Sequence, residues 1–218
     1  MKLCMDLPKN ILLILENKEI QKIDLGRSGS EVYYIKNFGY LKVSDDVPSL
    51  TSEKNRCLWL ENRLNTPRVL EFGEYSSLDG KSPTRAFLLT TEVKGLPLCD
   101  ERFLNDPERL IALLSEAMGE FHRVDASDCP FDAEGVEGDC QNPLLCHGDF
   151  CLPNIVCDGA RLGFVDLGHM GKGDPWLDYA WCLWSLDYNL KTSAYRKQML
   201  KALGVEFDEE KYQKYTAM

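Results

Sequence analysis

A short hairpin between polar residues is the feature that most limits the folds open to this chain. Residues 154–157 have strand character, residues 162–166 have it too, and the pair Asp158-Gly159 lies between them. Asp-Gly is a favoured two-residue hairpin turn, because both positions tolerate a positive φ. The second run is therefore predicted to fold back on the first, so that the outer ends of the hairpin face the same point.

Three polar side chains lie at the outer ends of this hairpin. Asp149 precedes Asn154 by five positions, and Asp166 ends the second run. Phosphoryl transfer needs a carboxylate that accepts the proton of the attacking hydroxyl, and an amide oxygen and a second carboxylate that hold Mg²⁺. A polar loop beside an ordinary hairpin would explain any one of these residues, but the complete spacing indicates a phosphoryl-transfer site.

Length and composition are those of a soluble protein with one large domain or two lobes. The 218 residues are 44% hydrophobic and 28% charged, and no apolar run approaches the ~20 residues that cross a bilayer. The apolar run Ile11–Leu15 is too short for a signal peptide. The nine cysteines are scattered without a Cys-x-x-Cys pair, which is typical of reduced thiols. We therefore expect a cytoplasmic protein without a membrane segment.

The net charge of −10 is concentrated in one segment. Residues 124–190 contain 12 Asp and Glu residues, against only Arg161 and Lys172. A basic footprint for nucleic acid is missing, so no nucleic-acid partner is expected. Acidic walls around a cleft would concentrate a cationic partner. A solvated acidic face would explain the same charge, so both interpretations stay open.

The order of predicted elements indicates an α+β chain with two lobes. The first lobe reads β-β-β-α-β-β, with strands at 20–25, 32–35, 40–43, 68–75 and 84–91 and a helix over 51–64. The segment Glu92–Pro97 breaks this pattern. Later helices are predicted from Asp106-Pro107 to about 124, from Asp174-Pro175 to about 186, and over 193–203. We predict an N-lobe of residues 1–92 and a C-lobe of residues 93–218.

A lysine and a glutamate of the first lobe form a possible phosphate-binding pair. Lys42 ends a strand after a Gly/Ser turn, and Glu53 lies in the first turn of the predicted helix. A carboxylate can hold such a lysine so that its ammonium points at nucleotide phosphates. The pair is a weak signal alone and gains weight from the later motif.

These motifs together resemble the aminoglycoside phosphotransferase family, most closely its 3'-phosphotransferases. The segments that carry the resemblance are 147–154 (HGDFCLPN), 163–169 (GFVDLGH) and 173–178 (GDPWLD), with support from 58–61, 66–70 and 121–130. The resemblance covers about residues 20–130 and 144–215. Protein kinases read His-Arg-Asp and Asp-Phe-Gly, and need an activation segment for which this chain has no room. The resemblance implies a two-lobed protein-kinase-like fold, with the nucleotide-covering β-sheet in the N-lobe.

The resemblance also implies a role for each matching residue of the catalytic centre. Asp149 corresponds to the catalytic base, and Asn154 and Asp166 correspond to the magnesium ligands. Lys42 corresponds to the phosphate-binding lysine and Glu53 to its ion-pair partner.

The same resemblance implies the nucleotide contacts. Ser28 lies where the family's nucleotide-loop serine approaches the phosphates. The carbonyl of Thr91 and the amide of Val93 are expected to read the base edge. Thr90 is smaller than the methionine often found behind the base, which leaves GTP use open beside ATP.

Further residues of the motif are expected to support the site. His147 supports the catalytic loop through hydrogen bonds of its ring, while Asp174 as an N-cap and Asp178 as a brace anchor the structure and do not act as catalysts. The three tryptophans of the helix after Asp174 are expected in the core: Trp176, Trp181 and Trp184. The histidines show no metal-ligand spacing among themselves or with cysteines.

The chain departs from the family on the acceptor side. Only Phe131–Cys146 occupies the interval in which 3'-phosphotransferases carry an acidic helical insertion, and the sequence ends at Met218, where relatives present acidic residues to the substrate. Two explanations stay open, a naturally shortened enzyme with a wide acceptor site and a sequence that lacks segments. Four acidic residues of this interval are either a remnant of the acidic wall or part of a solvated loop: Asp132, Glu134, Glu137 and Asp139.

The expected activity is transfer of the γ-phosphoryl group from Mg-ATP to a hydroxyl of a cationic aminoglycoside, which is an antibiotic-resistance reaction. Two alternatives stay open, a kinase of another small hydroxylated or cationic metabolite, and a nucleotide-binding protein with a decayed acceptor site. The sequence indicates neither the regiospecificity nor the oligomeric state.

Overall fold

The computed structural model describes residues 7–23, 29–76, 84–135, 140, 142–159 and 161–217. The chain divides into two compact units, Met1–Glu61 with Pro67–Val93, and Asn62–Thr66 with Lys94–Met218. Helices and antiparallel sheets both occur, as the predicted α+β class requires. Among the described residues, no helix combines the length and the apolar composition that a membrane span needs.

The first unit is an antiparallel sheet with two described helices. Its elements in chain order are α1 (Lys9–Leu15), β1 (Ile20–Ile23), β2 (Glu31–Ile35), β3 (Gly39–Ser44), α2 (Val47–Leu60), β4 (Val69–Tyr75) and β5 (Arg85–Thr91). The described strands are arranged in the order β1-β2-β3-β5-β4. This confirms the predicted β-β-β-α-β-β succession. Helix α1 precedes it, in a stretch that the sequence analysis treated only as a short apolar run.

Strand alternation sends neighbouring side chains of the sheet to two different helices. Leu41 and Val43 of β3 pack in one apolar cluster with Ile11 of α1. Leu88 of β5 packs in a second cluster with Leu50 of α2. Because successive side chains of a strand point to opposite faces, the residue between Leu41 and Val43 is on the α2 side of the sheet. That residue is Lys42.

Helix α2 begins earlier than the sequence analysis predicted. Asp46 is its N-cap and accepts a hydrogen bond from the amide of Ser49 at 3.0 Å, and Pro48 occupies the first turn. An aspartate cap followed by proline is a strong helix start, and it takes precedence over the predicted start near residue 51. Because the helix begins earlier than predicted, Glu53 lies in its second turn instead of its first. The helix ends at Leu60.

The second unit is mainly helical. Its elements are β6 (Leu96–Pro97), α3 (Glu101–Leu104), α4 (Pro107–His122), β7 (Leu144–Cys146), a 3₁₀ turn (Leu152–Asn154), β8 (Ile155–Cys157), β9 (Leu162–Phe164), β10 (Gly171–Gly173), α5 (Trp176–Leu190), α6 (Arg196–Leu203) and α7 (Glu209–Thr216). The three predicted helices of this lobe correspond to α4, α5 and α6. The remaining helices and the pair β7–β10 were not predicted from the sequence.

Helix α4 begins at the predicted Asp106-Pro107 pair, and a glycine ends α6. Asp106 caps α4 by accepting the amide of Arg109 at 3.1 Å, with Pro107 as the first helical residue. Gly204 ends α6 in the left-handed conformation at φ +71°.

The hairpin of β8 and β9 forms with a turn one residue later than predicted. Ile155 pairs with Phe164, and Cys157 pairs with Leu162. The amide of Asp158 donates to the carbonyl of Arg161 at 3.2 Å, and the amide of Arg161 donates to the Asp158 side chain at 2.7 Å. Asp158 is therefore the last paired residue before the turn, and its carboxylate replaces a backbone acceptor.

Candidate active site

Lys42 and Glu53 form an ion pair in the first unit. The Lys42 Nζ lies 2.6 Å from the Glu53 Oε1, and the two side chains are only 23% and 14% exposed. Alternation along β3 directs the lysine to the α2 face, and the second turn of α2 presents the glutamate. Partial burial limits screening by solvent, so the carboxylate holds the ammonium in one direction.

Two hydrogen bonds connect Thr91, at the end of β5, with Arg68, the residue before β4. The Thr91 amide donates to the Arg68 carbonyl at 2.9 Å, and the Arg68 amide donates to the Thr91 Oγ1 at 2.9 Å. The hydroxyl thus accepts the bond that a carbonyl would accept in a regular ladder. Val93 follows in an extended segment and is half-buried. Ser28, the predicted phosphate contact, lies outside the described residues.

Asp149 and Asn154 meet in the loop between β7 and β8, in the second unit. The Asn154 side-chain amide donates to the Asp149 carboxylate at 2.9 Å and to the Asp149 carbonyl at 3.0 Å. These two bonds fix which end of the amide faces Asp149. The Nδ2 is used inside the loop, so the Oδ1 is the atom that can ligate a cation.

Asp166 is placed beside Asn154 by a backbone hydrogen bond. The amide of its neighbour Val165 donates to the Asn154 carbonyl at 3.0 Å. Asp166 itself is exposed and has a positive φ of 60°. Positive φ is uncommon outside glycine, and such residues occur preferentially at functional sites. The backbone bond of Val165 therefore places the Asp166 loop next to Asn154, and their joint role as ligands stays a prediction.

His147 joins the catalytic loop to the loop of Asp166. Its Nε2 lies 3.0 Å from the carbonyl of Val165, and its Nδ1 lies 3.3 Å from the amide of Asp149. A carbonyl can only accept and an amide N–H can only donate, so Nε2 carries the proton and Nδ1 accepts. The ring is fully buried, and its edge packs on Phe150. His147 thereby connects the Asp149 loop to the loop of Asp166.

Asp178 of α5 holds the backbone of the same loop. One carboxylate oxygen accepts the amide of His147 at 2.8 Å, and the other accepts the amide of Gly148 at 2.9 Å. The Nε2 of His122 also lies 2.9 Å from this carboxylate, which is completely buried. Gly148 has a φ of +85°, and a Cβ there would lie 2.5 Å from the His169 carbonyl. This close approach requires glycine between the histidine and the aspartate.

Asp174 anchors the start of α5, but the prediction that it is the N-cap is wrong, because the helix begins at Trp176 and Pro175 occupies the N-cap position. Its Oδ1 accepts the amide of Trp176 at 3.0 Å, while its Oδ2 accepts from the Lys211 ammonium at 2.8 Å and from the Tyr215 hydroxyl at 3.4 Å. The carboxylate therefore connects the beginning of α5 with α7. The described hydrogen bonds of the Asp174 side chain go to Trp176, Lys211 and Tyr215, and none goes to Asp149.

Ser185 is a residue of the site region that sequence reasoning missed. Its hydroxyl accepts the amide of Leu152 at 3.0 Å and so links α5 to the catalytic loop. The side chain is 1% exposed. The available signal was a small polar residue inside the otherwise apolar run of α5, since a buried hydroxyl needs a partner.

The tryptophans of α5 differ from one another in burial. Trp176 is buried, as expected, but Trp184 is 37% exposed. The expectation that Trp184 is a core residue is therefore wrong. Its position on the helix directs it away from the apolar face that contains Leu183 and Leu186.

Three side chains lie close enough together to be ligands of one metal ion, although the sequence spacing did not suggest a metal site. Ligand atoms of His122, Cys146 and Asp178 lie within 4.8 Å of one another. Burial raises the pKa of the Cys146 thiol far above its usual range and disfavours the thiolate that a metal needs. Burial likewise raises the pKa of the Cys151 thiol in the catalytic loop, so it is not activated as a nucleophile. The trio is best described as a packed hydrogen-bonding cluster.

The acidic loop before β7 is only partly described. Glu134 pairs with His169 at 2.8 Å, and each side chain is 54% exposed. Asp132 forms an isolated backbone bridge with Lys172. Glu137 and Asp139, which the acidic interpretation also needs, lie outside the described residues.

The second unit thus presents a carboxylate oriented by an amide, and beside it an amide oxygen and a second carboxylate. The first unit presents a lysine held by a glutamate. Such groups can orient a hydroxyl, hold a divalent cation and bind phosphate oxygens. They define the class of kinase-like phosphotransferases.

The chain belongs to the phosphotransferase enzyme family (APH), whose model matches residues 20–141 and 139–215. It is 29% identical to the aminoglycoside 3'-phosphotransferase of Enterococcus faecalis, with 93% of each chain covered. That alignment has 253 positions, 35 more than the 218 residues of this chain, so the relative has at least 35 residues inside the matched region that this chain lacks. This agrees with an internal shortening relative to the 3'-phosphotransferases.

Solved structures show the same fold. The aminoglycoside phosphotransferase APH(3'')-Id of Streptomyces rimosus superposes with a TM-score of 0.73 at 20% identity, over 94% of this chain and 95% of that one. The complex of the same enzyme with ADP and streptomycin superposes with a TM-score of 0.68 at 20% identity, over 88% of this chain and 92% of that one. The predicted protein-kinase-like fold is therefore confirmed.

Proposed function

We propose that this protein transfers the γ-phosphoryl group of Mg-ATP to a hydroxyl group of an aminoglycoside. The observation that carries the proposal is the hydrogen bond from the Asn154 amide to the Asp149 carboxylate at 2.9 Å, next to the loop of Asp166. Family membership and the names of the relatives support the same reaction. The proposed product is a phosphorylated antibiotic, so the biological role is antibiotic resistance.

Asp149 is the proposed catalytic base. It is half-buried, and the Asn154 amide restrains one of its carboxylate oxygens, so the carboxylate has a fixed direction in which to receive the acceptor hydroxyl. A hydroxyl held at hydrogen-bond distance from the carboxylate is oriented for attack and loses its proton to it. Because the transition state of phosphoryl transfer is loose, this positioning contributes more than strong basicity.

Asn154 and Asp166 are the proposed ligands of Mg²⁺. One offers an amide oxygen and the other a carboxylate, which are the hard oxygen donors that Mg²⁺ prefers. When bound, the ion neutralises charge on the β- and γ-phosphates. The backbone bond between Val165 and Asn154 at 3.0 Å keeps the two ligands in register.

The first unit contains four proposed nucleotide-binding residues, which are Lys42, Glu53, Thr91 and Val93. The Glu53 carboxylate at 2.6 Å directs the Lys42 ammonium toward phosphate oxygens. The Arg68 amide donates to the Thr91 hydroxyl, which fixes the end of β5, and we propose that the Thr91 carbonyl and the Val93 amide read the base edge. Thr90 is buried at 9% exposure and is smaller than the methionine often found behind the base, so we leave GTP open beside ATP.

The proposed acceptor is cationic because the second unit is strongly acidic between residues 124 and 190. Aminoglycosides carry several ammonium groups, which such a field attracts. We also place the reaction in the cytoplasm. The described cysteines are free thiols, as is usual for a reducing compartment.

A coupled assay of ADP release with Mg-ATP and a panel of acceptors tests this proposal. The panel contains kanamycin, neomycin, choline and neutral sugars, and the Asp149→Asn variant is the blank. Turnover above the blank with the aminoglycosides is the expected result. Turnover confined to choline or a sugar would replace the acceptor, and nucleotide binding without any turnover would overturn the proposal.

A further inference from the structure

The turn end of the hairpin β8–β9 borders a groove with a volume of about 410 Å³, which we call the turn groove. Ligand sites for small molecules have volumes of about 300 to 1,000 Å³, so the turn groove is large enough for one. None of the residues proposed above for the nucleotide, the metal or the catalytic base is among its described lining residues. The groove is lined by residues of β6, α3, the first turn of α4 and the hairpin turn, including Leu96, Arg102, Phe103, Arg109, Cys157 and Asp158.

The turn groove is at the opposite end of the hairpin from the proposed metal ligands. Strand β8 consists of the three residues Ile155–Cys157, with Asn154 before its first residue and the turn after its last. Three strand residues span about 10 Å. The turn groove is therefore separate from the proposed catalytic centre.

Two glycines shape the groove through their backbone. Gly95 has a φ of +126°, and a Cβ on it would lie 2.5 Å from the carbonyl carbon of Cys157, so only glycine allows this close approach of the two segments. Next to it, Leu96 pairs with Cys157 in the ladder of β6 and β8. Gly159 has a φ of +95°, and a Cβ on it would meet no described atom within 4 Å. The groove thus has a fixed floor and an edge that lacks a side chain, and a flat molecule fits such a shape.

Arg109 gives the groove a positively charged group that an aromatic ring supports. Its guanidinium carbon lies 5.5 Å from the centroid of the Phe103 ring, which is within the range of a cation–π contact. Phe103 is buried, so the ring that supports the guanidinium is itself held in place. In the part of the chain that the structure describes, no carboxylate forms an ion pair with Arg109. Its guanidinium therefore keeps N–H donors for a ligand.

The two other charged side chains of the groove are already engaged. Arg102 donates to the Asp100 carboxylate from its Nε at 2.8 Å and from its Nη2 at 3.2 Å, which compensates its charge. The Asp158 carboxylate accepts the amide of Arg161 at 2.7 Å and so belongs to the turn. Arg109 is therefore the group of the groove to which an anion would bind.

We propose that the turn groove is a binding site for a small aromatic carboxylate. The paired N–H donors of the Arg109 guanidinium match a carboxylate, with which they form two parallel hydrogen bonds. The apolar side chains of Leu96 and Cys157 and the glycine backbone beside them receive the flat ring. An organic cation would be repelled by Arg109, whose charge no described carboxylate compensates. This site is independent of the phosphoryl-transfer reaction proposed above.

Titration calorimetry of the full chain with benzoate, without nucleotide or acceptor, tests the proposal. We expect one benzoate per chain, and Arg109→Gln should raise the dissociation constant at least about tenfold, because charge-assisted hydrogen bonds are lost. Arg109→Lys keeps the charge but not the paired donors, and should raise the dissociation constant severalfold. Arg123→Gln is the matched control, because it makes the same change in charge at the exposed C-terminal end of the same helix, and it should leave benzoate binding unchanged.

Three results would overturn the proposal. The first is the absence of benzoate binding to the parent protein, and the second is an equal loss of affinity in Arg109→Gln and Arg123→Gln. The third is inorganic phosphate binding as tightly as benzoate, since the groove would then recognise negative charge and not an aromatic carboxylate. A crystal soaked with 4-iodobenzoate locates the ligand directly: an anomalous iodine peak in the turn groove is expected, and peaks only elsewhere would also refute the site. No readout involves turnover, so these outcomes do not depend on the proposed function.

Discussion

The carboxylate of Asp178 accepts the backbone amide of His147 at 2.8 Å, across 31 residues of sequence. The same carboxylate accepts the amide of Gly148. A residue on α5 thus determines the path of the backbone two positions before Asp149. The loop that contains Asp149 is thus held from its buried side by the Asp178 carboxylate.

Substitution of Asp178 should destabilise the fold. Asp178→Ala leaves two buried amides without an acceptor and removes the partner of His122, so we expect the free energy of unfolding to fall by about 3 kcal/mol. Urea unfolding followed by tryptophan fluorescence measures the change. Asp128→Asn is the control, because the exposed Asp128–Arg63 ion pair should contribute less than about 1 kcal/mol. Equal losses in the two variants would contradict the bracing role.

Asn154→Asp should separate metal binding from orientation of the base. The new carboxylate keeps an oxygen for Mg²⁺ but loses the amide donor and places like charge beside Asp149. We expect turnover to fall about 100-fold, and the pH–rate profile to shift to higher pH because adjacent carboxylates raise each other's pKa. Initial rates over pH and Mg²⁺ concentration test this. Asn65→Asp is the control, since Asn65 donates to the Leu162 carbonyl and not to a site residue; a similar pH shift there would refute the assignment.

Removal of the divalent cation should abolish turnover without unfolding the protein. The proposed ligands Asn154 and Asp166 lie on a hairpin whose strands are paired by backbone hydrogen bonds, so the fold does not depend on the ion. Excess EDTA should stop ADP release, and added Mg²⁺ should restore it. Circular dichroism should remain unchanged throughout, and full activity in EDTA would contradict the proposed metal ligands.

Lys42 and Glu53 should act as one unit in nucleotide binding. We expect Lys42→Met to lower kcat/KM for ATP by about 10- to 100-fold, because a charge-assisted contact to phosphate is lost. Glu53→Gln should have a smaller effect, and the double variant should be no worse than Lys42→Met. The exposed pair Lys36–Glu19, at 2.7 Å in the same unit, is the matched control, and Lys36→Met should leave ATP kinetics unchanged. Additive losses at Lys42 and Glu53 would argue against a shared role.

Glu31 should make the first unit sensitive to acid. Hydrogen bonds from the Tyr33 hydroxyl at 2.6 Å and the Arg85 guanidinium at 2.9 Å lower the pKa of Glu31 from 4.5 to about 2. Its folded-state pKa is below its unfolded value, so its contribution to stability is complete above pH 4.5 and is lost as the pH falls toward 2. Glu31→Gln should therefore reduce stability by about 1 kcal/mol at pH 7 and by much less near pH 3. Urea unfolding at both pH values measures this, and a difference that does not depend on pH would exclude the mechanism.

Local sequence signals predicted much of the candidate site. The pairing of β8 with β9 follows from two short β-forming runs around a turn, and it brings Asn154 next to the loop of Asp166. The strands of the first unit and the start of α4 were predicted for the same reason. At the hairpin and at the start of α4 the determining interaction joins residues close in sequence, such as the Asp106 cap and the Arg109 amide.

Two features were predicted wrongly from the sequence, the start of α2 and the burial of Trp184. The start of α2 was misplaced because two capping signals compete there, and Asp46 with Pro48 is the stronger. The exposure of Trp184 could not be read from composition, since an apolar helix has both a buried and an exposed side.

The sequence alone determined the kinase-like order of elements and the identity of the residues expected to act on phosphate, because these depend on short-range periodicity, turns and spacing. The tertiary structure alone decided how those residues are held. Three hydrogen bonds show this, because each joins segments separated by 23 to 33 positions. Their donors are the amides of His147, Leu152 and Arg68, and their acceptors are the side chains of Asp178, Ser185 and Thr91. Such contacts form only when the elements pack, because no local pattern specifies which buried donor meets which acceptor.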